Sequence, residues 1–187
     1  ALVLDKFRRP EEFVVRLYVL RGERLVSRDS TGASDPYLRV RLGSDARDTR
    51  DQYHKDKAVV EFRHVFEFRT SLPGTSVLEI ECWDYDNFGR RSDDLIGATH
   101  IDLEDRIFSP SWMELSSRKA CPVELRQLYA PLSSHSQGAL SLWVDILTPE
   151  RATNEPAADI SLPPPEKFQL RVICWEAKDI PKGTVCG

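Results

Sequence analysis

Asp84-Tyr-Asp86-Asn-Phe-Gly-Arg-Arg-Ser-Asp93-Asp94-Leu-Ile-Gly97 is the stretch on which the reading of this chain turns. It lies between two runs of strand character, 77–83 and 96–103, so its acidic residues fall where the chain must reverse. A second acidic turn, Asp29-Ser-Thr-Gly-Ala-Ser-Asp35-Pro36-Tyr37, follows a strand-like run at 13–20. Crowded carboxylates repel one another, by ~4 kcal/mol for a pair about 4 Å apart at an effective dielectric of about 20. A fold tolerates several of them together only if something positive joins them. Hard oxygen donors on irregular loops suit Ca²⁺, which takes roughly six to eight oxygens in flexible geometry. Ordinary turn chemistry accounts for one or two aspartates and poorly for five at this spacing. An EF-hand is excluded, because Phe88 and Leu95 stand where such a loop needs its fifth and twelfth positions, the latter a bidentate Glu.

Outward from these turns, the chain reads as short strands. Phe13-Val-Val-Arg-Leu-Tyr-Val-Leu20 is β-branched and aromatic, and Pro36–Leu42 alternates apolar and polar. Residues 65–69, 77–83, 96–103 and 138–147 have the same character, Ser111–Leu115 is a further short candidate, and 103–108 is helical or irregular. About eight short strands without an amphipathic helix predict an all-β fold, an eight-stranded antiparallel sandwich. The four tryptophans and Cys82 and Cys174 fall in strand-like runs and are expected in the core.

The length of 187 residues allows one domain or slightly more. A composition of 41% hydrophobic and 30% charged residues is that of a globular domain. The net charge of −4 excludes a general nucleic-acid binder, which needs a basic face. No apolar run approaches the ~18 residues of a membrane span, and no signal peptide is evident. The four cysteines lack CxxC spacing, which points to a reduced, cytosolic setting. His54, His64, His100 and His135 have no zinc spacing, and no nucleophile-elbow motif is present, so an enzyme is not expected. Arg47, Arg50, Lys55, Lys57 and Arg63 interleave with Asp45, Asp48, Asp51, Asp56 and Glu61 and read as a solvated mixed-charge face.

Residues 148–166, with Pro163-Pro-Pro165, read as a proline-rich linker. Beyond it the chain repeats its own start. Glu11-Glu-Phe13-Val-Val-Arg16-Leu17 matches Glu166-Lys-Phe168-Gln-Leu-Arg171-Val172 at an offset of 155 residues, and Asp29 falls on Thr184 in that register. The division expected is a domain at 1–147, a linker at 148–166, and the first strand of a second, truncated module at 167–187.

Asp29…Asp35-Pro36-Tyr37 followed by Asp84-Tyr85-Asp86…Asp94-Leu-Ile-Gly97 resembles the C2 domain over residues 12–115. Asp93-Asp94-Leu-Ile-Gly-Ala-Thr-His-Ile-Asp-Leu-Glu-Asp-Arg106, Leu128-Tyr-Ala-Pro-Leu132 and Phe168-Gln-Leu-Arg-Val-Ile-Cys-Trp175 are similar to segments of the ferlin family, tandem-C2 proteins of membrane fusion and repair. The sequence departs from the ferlin pattern in three places. The Asn-Pro turn before the fourth strand is missing at 60–66, the second acidic loop is about two residues longer, and the segment 116–137 is much shorter than its vertebrate ferlin counterpart.

The resemblance implies a Ca²⁺ site of Asp29 and Asp35 from one loop and Asp84, Asp86 and Asp94 from another, with Asp93 as the substitute if the long loop shifts register. Five carboxylates sum to −5, and two Ca²⁺ ions would bring that to −1. Phe88, Arg90 and Arg91 at the loop tip are expected to contact anionic phospholipid. The implied role is a calcium-dependent, phospholipid-binding module at the cytoplasmic face of plasma or vesicle membranes, beside neighbouring C2 domains. A calcium-independent interaction domain and the regulatory domain of a lipid enzyme are the alternatives. Because an open sandwich edge is unfavourable, 138–147 is expected to close the first domain, the type II permutation used by phospholipase C.

Overall fold

The computed structural model describes residues 9–28, 32–87, 92–118, 120–176 and 178–179. Two four-stranded antiparallel sheets face each other, in the strand orders β4-β1-β8-β7 and β3-β2-β5-β6. The strands are β1 Glu11–Glu23, β2 Pro36–Leu42, β3 Asp45–Asp48, β4 His64–Leu72, β5 Val77–Asp84, β6 Asp94–Asp102, β7 Glu124–Gln127 and β8 Ala139–Leu147.

Strand β1 organises the first sheet because it is buried on both faces. Val15, Leu17 and Val19 enter the core between the sheets, where they meet Leu38, Val40, Ile80, Cys82, Leu140 and Leu142. Period-2 alternation sends the intervening residues outward. Strand β8 pairs with β1 from Val14↔Leu147 to Glu23↔Ala139, with one bulge after Val19. The sandwich is therefore closed by residues 139–147, in the permutation expected.

The outward residues of β1 are covered as well. Thr148 caps a short helix, α3 Pro149–Asn154, by accepting the Arg151 amide, with Pro149 at its first position. The segment runs back over the first sheet. Arg16, only 5% exposed, donates to the Ala152 carbonyl (2.9 Å), to the Glu155 carbonyl and to Glu67 (2.7 Å). Tyr18 stacks on Trp143 with ring centroids 4.2 Å apart, and its hydroxyl accepts from the Ala158 amide. The start of the stretch expected to be a linker is thus a strap held to the domain, bordering an open pocket of about 570 Å³.

Three local expectations need correction. Ser111–Leu115 is not a strand but part of helix α2, Pro110–Ser117, because Ser109 accepts the Trp112 amide as an N-cap and Pro110 occupies the first turn. A shorter helix, α1 Glu104–Ile107, precedes it. Strands β3 and β7 escaped notice since Asp-Ala-Arg-Asp and Glu-Leu-Arg-Gln carry little β propensity, and tertiary pairing with β2 and β8 makes them. Cys174 and Trp175 are exposed rather than core, for residues 159–176 form no regular structure against which they could pack, and Trp83 and Trp143 are half-buried outside the core, under Arg39 and against Tyr18.

Gly138, which leads into β8, has φ of +130°, and an added Cβ would lie 3.0 Å from the carbonyl oxygens of Glu23 and Arg24. Gly138→Ala is expected to lower stability by about 2 to 4 kcal/mol, from backbone strain plus the clash. Urea unfolding checks this.

Candidate functional site: an acidic three-loop end

The strand register creates this site. Pro36 pairs with Asp84 and Asp84 pairs with Asp94, so β2, β5 and β6 end side by side. Neighbouring strands are about 4.8 Å apart, which brings Asp35, Asp84 and Asp94 into one row. The loop between β1 and β2 (loop 1, 24–35) and the loop between β5 and β6 (loop 3, 85–93) therefore meet at the same end. Asp29, Phe88, Arg90 and Arg91 lie outside the described residues.

Loop 1 is fixed to its surroundings through Arg28 and through Ala33 to Asp35. Arg28 donates through its guanidinium to the Ile96 carbonyl (2.9 Å) and to Gln137 Oε1 (3.0 Å), and through its amide to Ser34 Oγ. Across the apex, the Asp35 amide donates to Asp84 Oδ1 at 2.6 Å, and the Tyr85 amide donates to the Asp35 carbonyl. Asp84 is almost fully buried, whereas Asp94 is exposed. A third loop, between β3 and β4 (loop 2, 49–63), joins them. The Asp56 amide donates to Asp35 Oδ1, and Asp56 Oδ1 accepts from the Ala33 amide, both at 2.7 Å.

Charge accumulates where the loops converge. The Asp86 carboxyl is pushed above its usual range, first by burial and then by the negative charge of Asp84, Asp94, Asp93 and Asp35. Asp84, Asp94, Asp93 and Asp35 thus all act on Asp86.

Asp93 is different. Its side chain is fully buried and forms a two-pronged ion pair with Arg50: Nε to Oδ2 at 2.6 Å and Nη2 to Oδ1 at 2.9 Å. The Tyr37 hydroxyl and the Asp86 amide also donate to it, at 2.8 and 3.0 Å. Burial alone would raise the Asp93 pKa, but these donors and the Arg50 charge outweigh it and hold the group at about 2. Burial and the Asp93 partner push the Tyr37 phenol up.

Arg50 thereby leaves the mixed-charge face expected for it. Arg47 and Arg63 do take local partners, Asp45 and Glu61. The Arg50 guanidinium lies over the Tyr85 ring at 4.3 Å, and that ring stacks on Tyr53 at 4.0 Å. Sequence reading missed the contributions of Arg50, Tyr53 and Asp56. Loop 2 has no motif of its own, and only the fold brings it to the apex.

The donor set around Asp86 consists of carboxylate oxygens, without histidine or cysteine, and it suits a hard cation such as Ca²⁺. Among the described residues, however, no three such side chains already converge as a metal cage.

Comparison with known proteins gives three kinds of match. The C2 domain family matches residues 13–119. Ferlin 2 of Toxoplasma gondii is 30% identical over 173 residues, which cover 91% of this chain and 12% of that protein. Myoferlin of Homo sapiens is 38% identical over 100 residues, 54% of this chain and 5% of that protein. The chain thus spans only a small fraction of these relatives. Among solved structures, the calcium-bound pair of C2 domains of extended synaptotagmin 2 superposes with a TM-score of 0.56 at 25% identity, over 75% of this chain and 47% of that one.

Two outcomes are expected in the absence of divalent ions. A carboxylate held below its unfolded pKa of 3.8 stabilises the fold above that value, and the contribution is lost as the pH falls toward about 2. The stability gap between wild type and Asp93→Asn, about 2 kcal/mol at neutral pH, should therefore shrink across that window in denaturant titrations. Asp86 has the opposite sign, because a raised carboxyl destabilises the fold when it is ionised. Asp86→Asn is expected to raise the melting temperature by about 1 to 3 °C, read by differential scanning calorimetry.

Proposed function

The chain belongs to the C2 domain family and is of ferlin type, and on that premise we propose that its three-loop end binds anionic phospholipid in a calcium-dependent manner. The observation that carries this reading is the register that sets Asp84 beside Asp94 and next to Asp35 at the ends of β2, β5 and β6, where burial and then the charge of Asp84, Asp94, Asp93 and Asp35 push the Asp86 carboxyl up. So much like charge at one end of a sandwich is relieved by a cation.

Asp35, Asp84, Asp86 and Asp94, with Asp29 from loop 1, would hold the metal. Bound calcium supplies positive charge and open coordination positions for phosphate oxygens. The chain's own residues do the rest. Asp84 and the Asp35 amide set the distance between loops 1 and 3. The register of β5 and β6 places Asp94 beside Asp84. Phe88 would enter the headgroup boundary from the tip of loop 3, and Arg90 and Arg91 would each add about 1 kcal/mol of attraction to an anionic surface.

The role is one of binding rather than catalysis. It operates at the cytoplasmic face of plasma or vesicle membranes, in fusion, trafficking or repair. Residues 167–187 are read as the first strand of a neighbouring C2 module. In support, Phe168, Leu170 and Val172 alternate as strand residues do and are all more than 80% exposed.

One observation favours a second reading. Arg50 already neutralises Asp93 without any metal, as it would in an interaction domain that needs no calcium. Co-sedimentation with phosphatidylserine vesicles separates the two. Wild type is expected to pellet in calcium and stay soluble in chelator, and Asp84→Asn/Asp86→Asn should lower pelleting at least tenfold. Equal pelleting of wild type with and without calcium would favour the second reading.

A further inference from the structure

The sequence leaves Asp93 and Asp94 as rivals for one role, and the contacts of Arg50 separate them. Each backbone polar group of Asp86 is taken by one member of the ion pair. Its amide donates to Asp93 Oδ1 at 3.0 Å, and its carbonyl accepts from Arg50 Nη2 at 3.0 Å. The same guanidinium is held between partners. Its edge faces Asp93, its plane lies over Tyr85, and Tyr53 backs the Tyr85 ring from loop 2. Tyr37, a buried β2 residue, anchors Asp93 from beneath through its hydroxyl. The pair thus connects three elements: the turn after β3, the end of β2, and both ends of the 87–92 segment of loop 3.

All the donors that Asp93 has gained are on protein groups, and its side chain has no exposure left to offer an ion. Asp94, one residue on, is exposed and sits opposite Asp84 in the sheet.

We infer that Arg50 and Asp93 form a positioning pair that clamps the backbone of Asp86, with Asp93 outside the cation-binding set and Asp94, at the start of β6, inside it. This rests on the calcium reading for what Asp86 and Asp94 bind, while the clamp itself is a matter of protein contacts. Partners that orient a metal-binding residue from behind typically govern affinity by about 10- to 100-fold. Arg50 would thus set how well loop 3 is organised before any ion arrives.

The test uses the full chain, with calcium calorimetry and thermal melting in chelator. Asp94→Asn is expected to weaken calcium binding at least tenfold and to leave the chelator melting temperature within about 2 °C of wild type. Asp93→Asn keeps an oxygen for the Asp86 amide and leaves Arg50 on the Asp86 carbonyl, so it should do the reverse, lowering the melting temperature by about 5 to 10 °C and changing affinity by less than about threefold. Arg50→Met/Asp93→Asn keeps the net charge of the apex but removes the clamp. It should bind calcium about tenfold more weakly, a change that a merely structural pair would not produce. Its drop in melting temperature should be smaller than the sum of the losses in Arg50→Met and Asp93→Asn alone, because the partners are coupled.

Loss of calcium binding in Asp93→Asn with an unchanged chelator melting temperature would overturn the inference and leave the calcium reading intact. So would wild-type affinity in the double variant. A wild-type chain that binds no calcium would overturn the calcium reading and the role given to Asp94. The clamp then stands or falls on the chelator melting temperature of Asp93→Asn, or on the double variant if that one fails to fold.

Discussion

Like charges gathered at one end of a sheet must be held there against their own repulsion, and strand register does the holding. Pro36, Asp84 and Asp94 are neighbours across β2, β5 and β6. A slip of one residue in either pairing would turn every side chain of that strand to the opposite face and empty the core. The burial of Leu38, Val40, Ile80 and Cys82 therefore fixes the acidic row as firmly as it fixes the sandwich. Backbone amides then satisfy individual carboxylates, with Asp35 donating to Asp84 and Asp56 donating to Asp35. What these amides cannot supply is net positive charge, and the Asp86 carboxyl is pushed up first by burial and then by the negative charge of Asp84, Asp94, Asp93 and Asp35.

Two guanidiniums do structural work around this end. Arg28 ties loop 1 to the carbonyl of Ile96, just past Asp94. Arg50 ties loop 2 to both ends of the 87–92 segment. A third, Arg16, performs a comparable task on the outer face of the first sheet, where it draws residues 149–155 onto β1. Each spends its fork of donors on at least one backbone carbonyl and one side-chain oxygen, the geometry for which arginine suits better than lysine. In each case a loop or strap gains a defined path from one side chain.

Much of the fold was legible because its signals are periodic. The strands at 13–20, 36–42, 77–83 and 138–147 announced themselves by β-branched and alternating residues. Closure by β8 followed from the unfavourable open edge that its absence would leave. The segments that misled lack a self-contained signal. Ser109-Pro110 starts a helix whose later residues look like a strand, and β3 exists only because β2 offers it a partner. At the site, aspartates spaced around turns pointed to loops 1 and 3. Nothing local in Arg50-Asp-Gln-Tyr53 pointed to the apex, since its role depends on contacts with residues 32 to 43 positions away. Likewise, the choice between Asp93 and Asp94 depends on burial and partners rather than on spacing.

Whether this acidic end takes up a cation that an anionic membrane helps to hold is the deciding question. Isothermal titration of calcium into the purified chain, with and without phosphatidylserine vesicles, measures this directly. Weak binding to the free chain and markedly tighter binding with vesicles are predicted, because two ligands that share one site strengthen each other reciprocally. No heat of binding at millimolar calcium in either condition would contradict a calcium-dependent membrane role.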